Sequence, residues 1–380
     1  MLRSLAPRTL LLSLLLPSFA CRGEHDPCTL PAADDCDVRD MACIETLHVV
    51  VACMRGAEHE LPDIEVISPD DYLAQFPAPK VPSPEQAALD SYYYDGLKLL
   101  GLLPDGWKIS YDPPTSVGTP YIPYSWEDKR LTVVTDRRDP ESDFHAMIYA
   151  LALADRDAEV DLTARFKEIA TYDRRSALTA LVAGEGLLYA DLAFVWDGKD
   201  GADLLDYRVS VSFAREAMAD PAATLWGAMS QFQYYYGAHM VHGRFLADGP
   251  AGIDAAFESA AASSAYALAG PEVEIEAAFN AIDTTLPDPP EGFRYLATDS
   301  LGPAALLTYR MRKSLTTDPA QAEKDLARTW VGDRFIVAAD ESSGRLAVVW
   351  QVAGPAGDVA ETILAANDPG TADAFRGLFP

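Results

Sequence analysis

Apolar residues along this chain recur mostly at helical spacing, and only short stretches alternate. Val38, Met41, Ile44, Leu47, Val50 and Val51 form one stripe, which predicts a helix over residues 37–54. Ser68-Pro69-Asp70-Asp71 and Ser83-Pro84-Glu85-Gln86 each put a capping serine ahead of proline and acids, a helix start. The second opens a helix to about residue 103. Asp139-Pro140-Glu141 starts another that carries residues 143–151, and 176–196 continue the helical pattern. Residues 206–247 read as helix with a break at Asp220-Pro221, and a short helix begins at Ile253. Two more cover 300–313 and 319–330, and a last one is predicted over 358–366. Alternation marks strands at 63–67 and 130–134. It also marks 334–338 and 345–351, joined by the turn Glu341-Ser342-Ser343-Gly344. The expected class is α+β, mainly helical, with a small C-terminal β-hairpin region.

The first twenty residues have another character. Arg3 and Arg8 precede a leucine-rich run at 10–16, too short to span a bilayer, and Pro17-Ser18-Phe19-Ala20-Cys21 follows. This reads as a secretory signal over 1–20. The small residues Ser18 and Ala20 suit cleavage before Cys21, a position that resembles the lipobox of bacterial lipoproteins, although Ser18 stands where leucine is usual. Ordinary cleavage after Ala20 is the alternative. All five cysteines precede residue 54, and lipidating Cys21 leaves Cys28, Cys36, Cys43 and Cys53 for two disulfides in an oxidising compartment. On one helix Cys43 and Cys53 would lie roughly 15 Å apart, too far to bridge. A chain that folds back along this helix favours the nested pairing Cys28–Cys53 and Cys36–Cys43. The organisation expected is a tether over 21–36, a stapled helix over 37–60, a helical domain over 61–286 and, beyond Pro287-Asp288-Pro289-Pro290, an α/β subdomain over 287–380.

Composition narrows the partners. With 30 basic against 58 acidic residues the formal charge is −28, which argues against nucleic acid and against anionic membrane surfaces. Membrane association is therefore expected through the N-terminal lipid. At 380 residues, 49% of them hydrophobic, the chain can bury a large core.

The candidate chemistry lies in Asp143-Phe144-His145-Ala146-Met147-Ile148-Tyr149, read with Ala180-Leu181-Val182-Ala183-Gly184-Glu185-Gly186. A His-Glu-x-x-His zinc hydrolase sets two histidines one helical turn apart on the metal, with the glutamate as base and a third ligand from another helix. Here the leading His145 is present, Ala146 stands for the base and Tyr149 for the second ligand. The chain resembles bacterial His-Glu-x-x-His metallopeptidase-like proteins of the gluzincin type. In these the zinc helix continues Ala-Leu-Gln-Asp and a later helix reads Ala-Leu-x-Glu-Gly-Asp/Glu-Ala. Ala150-Leu151 continues the first motif, with Ala152 and Leu153 replacing its Gln-Asp, and Ala183 takes the ligand position of the second. Tyr236-Gly237 with Gly249 to Phe257, and Trp330-Val331-Gly332-Asp333-Arg334-Phe335, are similar to further stretches of the family, so the resemblance covers about residues 45–370.

The departures decide what it implies. Ala146 and Ala183 can neither move a proton nor bind a metal, and loss of a general base alone typically costs about 10²–10⁴ in rate. Tyr149 ligates only as a phenolate, which an apolar helix face disfavours. Glu185 sits two positions past the lost ligand. His239 and His242 are spaced to share a metal but read better as satisfied or surface histidines; His25, His48 and His59 read as incidental. Asp197-Gly198-Lys199-Asp200-Gly201 matches no calcium loop and reads as a turn. The tyrosine triplets 92–94 and 234–236 are candidates for a groove, or for positions half core and half surface. The resemblance thus implies a metallopeptidase-like helical core without its cofactor: a lipid-anchored pseudoenzyme of the bacterial envelope, on its periplasmic or outer-membrane face, that binds a peptide or an envelope protein. The alternatives are a divergent zinc hydrolase using His145, Glu185 and a distant ligand, and a purely structural lipoprotein.

Overall fold

The structure, a computed structural model, describes residues 28–75, 82–110, 116–118, 120–135, 139–196, 198–259, 262–272, 282 and 285–379. The signal over 1–20, Cys21, the first part of the tether, the proline-rich connector at 76–81 and Asp197 lie outside these.

Helix α1 (Met41–Arg55) starts later than its apolar stripe, because the Asp40 N–H turns back to the Asp37 carbonyl at 2.8 Å and Arg39 folds onto the Asp37 carboxylate. Gly56, at φ 70°, ends it. Two disulfides staple it: Cys28–Cys53, with Cα atoms 5.5 Å apart, and Cys36–Cys43, at 5.1 Å. This is the nested pairing. Strand β1 (Asp63–Val66) follows, then α2 (Pro69–Ala74) and α3 (Pro84–Leu100), whose caps Ser68 and Ser83 accept from the Asp71 and Gln86 N–H groups. β2 (Tyr124–Ser125) and β3 (Arg130–Val133) complete a three-stranded sheet ordered β1-β3-β2, with β1 parallel and β2 antiparallel to β3.

The centre is made by α4 (Pro140–Val160), capped by Asp139, and α6 (Tyr172–Val195), capped by Thr171, with α5 (Leu162–Glu168) between them. α6 is long and apolar enough to cross a membrane, but 72% of that window is buried, so its apolar length serves packing. A short α7 (Lys199–Ala202) occupies the expected turn. α9 (Leu225–Asp248), α10 (Pro250–Ser259) and α11 (Ala265–Ala269) then pack on α6, and α8 (Arg208–Ala219) packs on α9. Backbone meets backbone where α6 crosses α9. A Cβ at Gly184 would sit 2.3 Å from the Gly237 carbonyl carbon, and one at Gly237 would sit 2.0 Å from the Ala180 oxygen. Both positions therefore exclude any side chain.

The C-terminal part holds β4 (Arg294–Asp299), α12 (Gly302–Arg312), α13 (Pro319–Thr329), β5 (Gly332–Asp340), β6 (Arg345–Ala353), β7 (Val359–Ala366) and α14 (Pro369–Arg376). The hairpin β5–β6 is the middle of a four-stranded antiparallel sheet, β4-β5-β6-β7. α3 packs on one face, and Phe375 and Phe379 join Ile336, Ala347 and Val349 on the other. The helix expected over 358–366 is strand β7 instead. Val359, Thr362 and Ile363 are β-branched, and the free edge of β6 supplies a ladder from Ala347↔Ala366 to Ala353↔Val359. That pairing outweighs the helix propensity of the intervening Ala, Glu and Leu. The last helix begins at Asp368-Pro369, where Asp368 accepts from the Thr371 N–H.

One buried carboxylate ties β5 to the start of α12 and to β6. Asp333 on β5 accepts from the Ser300 hydroxyl, from the Leu301 and Gly302 N–H groups that open α12, and from Trp350 Nε1 at 2.6 Å. Next to it, Asp173 in the first turn of α6 accepts from the N–H and hydroxyl of Ser264. Burial pushes the Asp173 carboxyl up to about 6 and the Asp333 carboxyl up to about 7.

Candidate functional site

On α4, Ala146, Tyr149 and Leu153 repeat at i, i+3 and i+7 and so share one face. On α6, Thr179, Val182 and Ala183 share another. These faces meet over a cavity of about 450 Å³, which α9 closes with Ser230, Gln233 and Tyr234. Residues 120–124 and Trp126 form its outer lip, and none of the lining residues is charged. The structure thus brings together Ala146, Tyr149 and Ala183, three of the four positions that the zinc frame would fill.

The lip is held rather than draped. Tyr121 pairs with Val134 in a β-bridge and packs edge-on against Tyr72, centroids 5.2 Å apart. The Tyr124 hydroxyl donates to Asp157 Oδ2 at 2.7 Å, and Lys129 Nζ holds both oxygens of the same carboxylate at 2.8 Å. Trp126 stacks on Phe166, and its carbonyl accepts from the Thr163 hydroxyl at 2.5 Å. The far end of α4 and the start of α5 therefore fix the rim in place.

His145, the fourth position, is not in the cavity. Its Nε2 donates to Asp191 Oδ1 at 2.7 Å, and Asp191 Oδ2 accepts from the Tyr207 hydroxyl at 2.8 Å. Tyr149 does reach the cavity, packed so closely on α6 that a Cβ at Gly186 would lie 2.8 Å from its ring. Burial, and next the phenol of Tyr234, hold its hydroxyl far above the ordinary tyrosine range, so the phenolate that a metal would need is suppressed. The walls where a base and a carboxylate ligand would stand are the methyl groups of Ala146 and Ala183.

Glu185 lies one face further round α6, 1% exposed. It is an ion-pair partner of Arg55 from α1 and of Arg156 from α4, the latter through Nε and Nη2 at 2.7 and 2.8 Å. Arg55 also meets Glu159 at 2.8 Å, and Arg156 reaches Asp254 at 2.8 Å. His48 lies 3.1 Å from Asp155, and His59 3.0 Å from Glu159. Two histidines that read as incidental are thus part of the ionic contact that seats the stapled α1 on the core. For His48 the signal was its place two turns from Arg55 on the face of α1 that also carries Ile44, Leu47 and Val51. His242 donates to the Ala202 carbonyl at 2.8 Å, while His239 lines a different cavity beside Arg215 and Glu323. In the tyrosine triplets, Tyr234 lines the cavity, Tyr236 is buried and donates to Glu323, and Tyr94 joins Trp107 and Trp226 in an aromatic cluster.

These residues do not fit zinc. His145 is engaged by Asp191, Glu185 by two arginines, and the cavity offers methyl groups and a neutral phenol. Among the described residues no three of His, Cys, Asp and Glu come together in a group able to hold a metal ion. What the arrangement can do is take up an uncharged, largely apolar group against aromatic walls, with Thr179, Ser230, Gln233 and the tyrosine hydroxyls to orient it. Comparison with family models, curated proteins and solved structures returns no match.

Proposed function

We propose that this chain is an exported, lipid-anchored pseudoenzyme on a zinc-peptidase scaffold, and that it acts by binding a peptide segment in the cavity between α4, α6 and α9. The observation that carries this reading is the convergence of Ala146, Tyr149 and Ala183 on one uncharged cavity. Hydrogen bonds of Tyr124 and of the Trp126 carbonyl hold the rim, so the cavity keeps its shape without a ligand. The two disulfides fit an oxidising compartment and so support export.

Titration of the purified protein with fluorescein-labelled tetrapeptides ending in phenylalanine or leucine tests the binding claim. Saturable binding without hydrolysis, removed by the cavity-filling Ala183→Trp, is expected. Hydrolysis of the peptide, or binding that the filled cavity leaves untouched, would reject it. For the anchor, mass spectrometry of the mature N-terminus is expected to find a diacylated Cys21, and an unmodified Cys21 would refute lipidation.

A further inference from the structure

The neutral cavity has a charged annex. A second hollow of about 400 Å³ is lined by Trp126, Thr163, Phe166, Lys167, Arg175, Thr179 and Glu127, and it shares Trp126 and Thr179 with the first. The two therefore form one trough, apolar at the Ala146–Ala183 end and ionic where α5 meets the first turns of α6. Lys167 and Arg175 have no ion-pair partner among the described residues; Asp161 and Asp299 act on them only at longer range. In a chain of formal charge −28, two such cations beside one aromatic hollow are a local reversal of sign. Glu127, also in the lining, leaves the annex with a net positive charge of one.

Resting on the peptide-binding reading above, we infer that the trough binds the C-terminus of a polypeptide. The last side chain, apolar or aromatic, enters the neutral cavity, and the terminal carboxylate is held by Arg175 and Lys167. The chemistry is complementary at both ends. An apolar side chain loses nothing by desolvation among Tyr149, Tyr234 and Ala183, whereas an internal peptide segment would leave the cations unmatched. Arg175 presents a planar fork suited to a carboxylate, and Lys167 adds a point charge near it. Phe166 lines the annex and stacks on Trp126, which lines both hollows.

The test is fluorescence anisotropy with a labelled Gly-Ser-Gly-Phe tetrapeptide, prepared once with a free carboxylate and once as its amide, on the intact protein. The free acid is expected to bind about tenfold more tightly than the amide, since a charge-assisted contact is lost. Arg175→Ala with Lys167→Ala should erase that preference while leaving the amide's affinity unchanged. Glu127→Gln should tighten the acid alone. These three positions are exposed, so the variants are expected to fold as the parent does. Acid and amide binding alike would overturn the carboxylate assignment and leave the binding function standing. Loss of both peptides from the parent protein would sink the two together. Tight dodecanoate binding that depends on Arg175, with no peptide binding, would overturn the inference in favour of a fatty acid.

Discussion

His145 donates to Asp191 at 2.7 Å, which turns the histidine away from the cavity that its helix neighbours Ala146 and Tyr149 line. The histidine that best advertises metal chemistry in the sequence is thereby committed to a hydrogen bond between α4 and α6. With Tyr207 on the other oxygen of Asp191, it acts as a tie between the two helices and the start of α8.

If Ala146, Tyr149 and Ala183 do occupy the places of base, second ligand and third ligand, restoring them should restore a metal site. The triple variant Ala146→Glu, Tyr149→His, Ala183→Glu is expected to bind zinc one to one in a chelator competition. His145 would have to leave Asp191 to take part, so the affinity should rise further with Asp191→Asn. A triple variant that folds and stays metal-free would show that α4 and α6 are not aligned as the zinc frame requires.

Glu185 neutralises two buried arginines at once. Glu185→Ala would leave Arg55 and Arg156, each with a side chain 3% exposed, short of their shared carboxylate. Breaking a buried pair from one side typically costs about 3–5 kcal/mol. Urea denaturation should find a loss of that size, with α1 released first. A change under about 1 kcal/mol would mean that Glu159, Asp155 and Asp254 carry the arginines without it.

Asp173 and Asp333 predict an unusual pH dependence. Both carboxyls hold their protons more tightly in the folded chain, at about 6 and about 7, than at the ordinary value of 3.8. The stability they add is therefore full below about pH 4 and lost as pH rises through 6 and 7. Asp173→Asn keeps the neutral acceptor and removes the titration. The parent's advantage over this variant should shrink by about 1.4 kcal/mol between pH 5 and pH 8, measured by chemical denaturation. An advantage that stays constant or grows with pH would show that Asp173 is ionised in the fold.

Much of the helical framework was legible, because its signals are local. Ser68, Ser83 and Asp139 cap where their spacing says they should, and Ile44, Leu47, Val50 and Val51 of the α1 stripe are buried, while Met41 at its first turn is exposed. Strand β7 was not, since its partner β6 is supplied by tertiary structure and its alanines favour a helix in isolation. The glycine pair was visible only as a motif; the contact of Gly184 with Gly237 joins residues 53 positions apart, a closeness no local pattern carries. The site divides in the same way. Ala146, Tyr149 and Ala183 were singled out by the motif frames of the resemblance, whereas the lip from Tyr121 to Trp126 and the cations Lys167 and Arg175 come from separate stretches of chain. His48 and His59 were misjudged because their partners Asp155 and Glu159 lie about a hundred residues on.

The central claim is that the cavity binds without a metal, and the metal content of the purified parent protein tests it most directly. After dialysis against zinc, elemental analysis should find zinc far below one equivalent, with His145→Ala indistinguishable from the parent. One equivalent of zinc in the parent, lost in His145→Ala, would contradict the account.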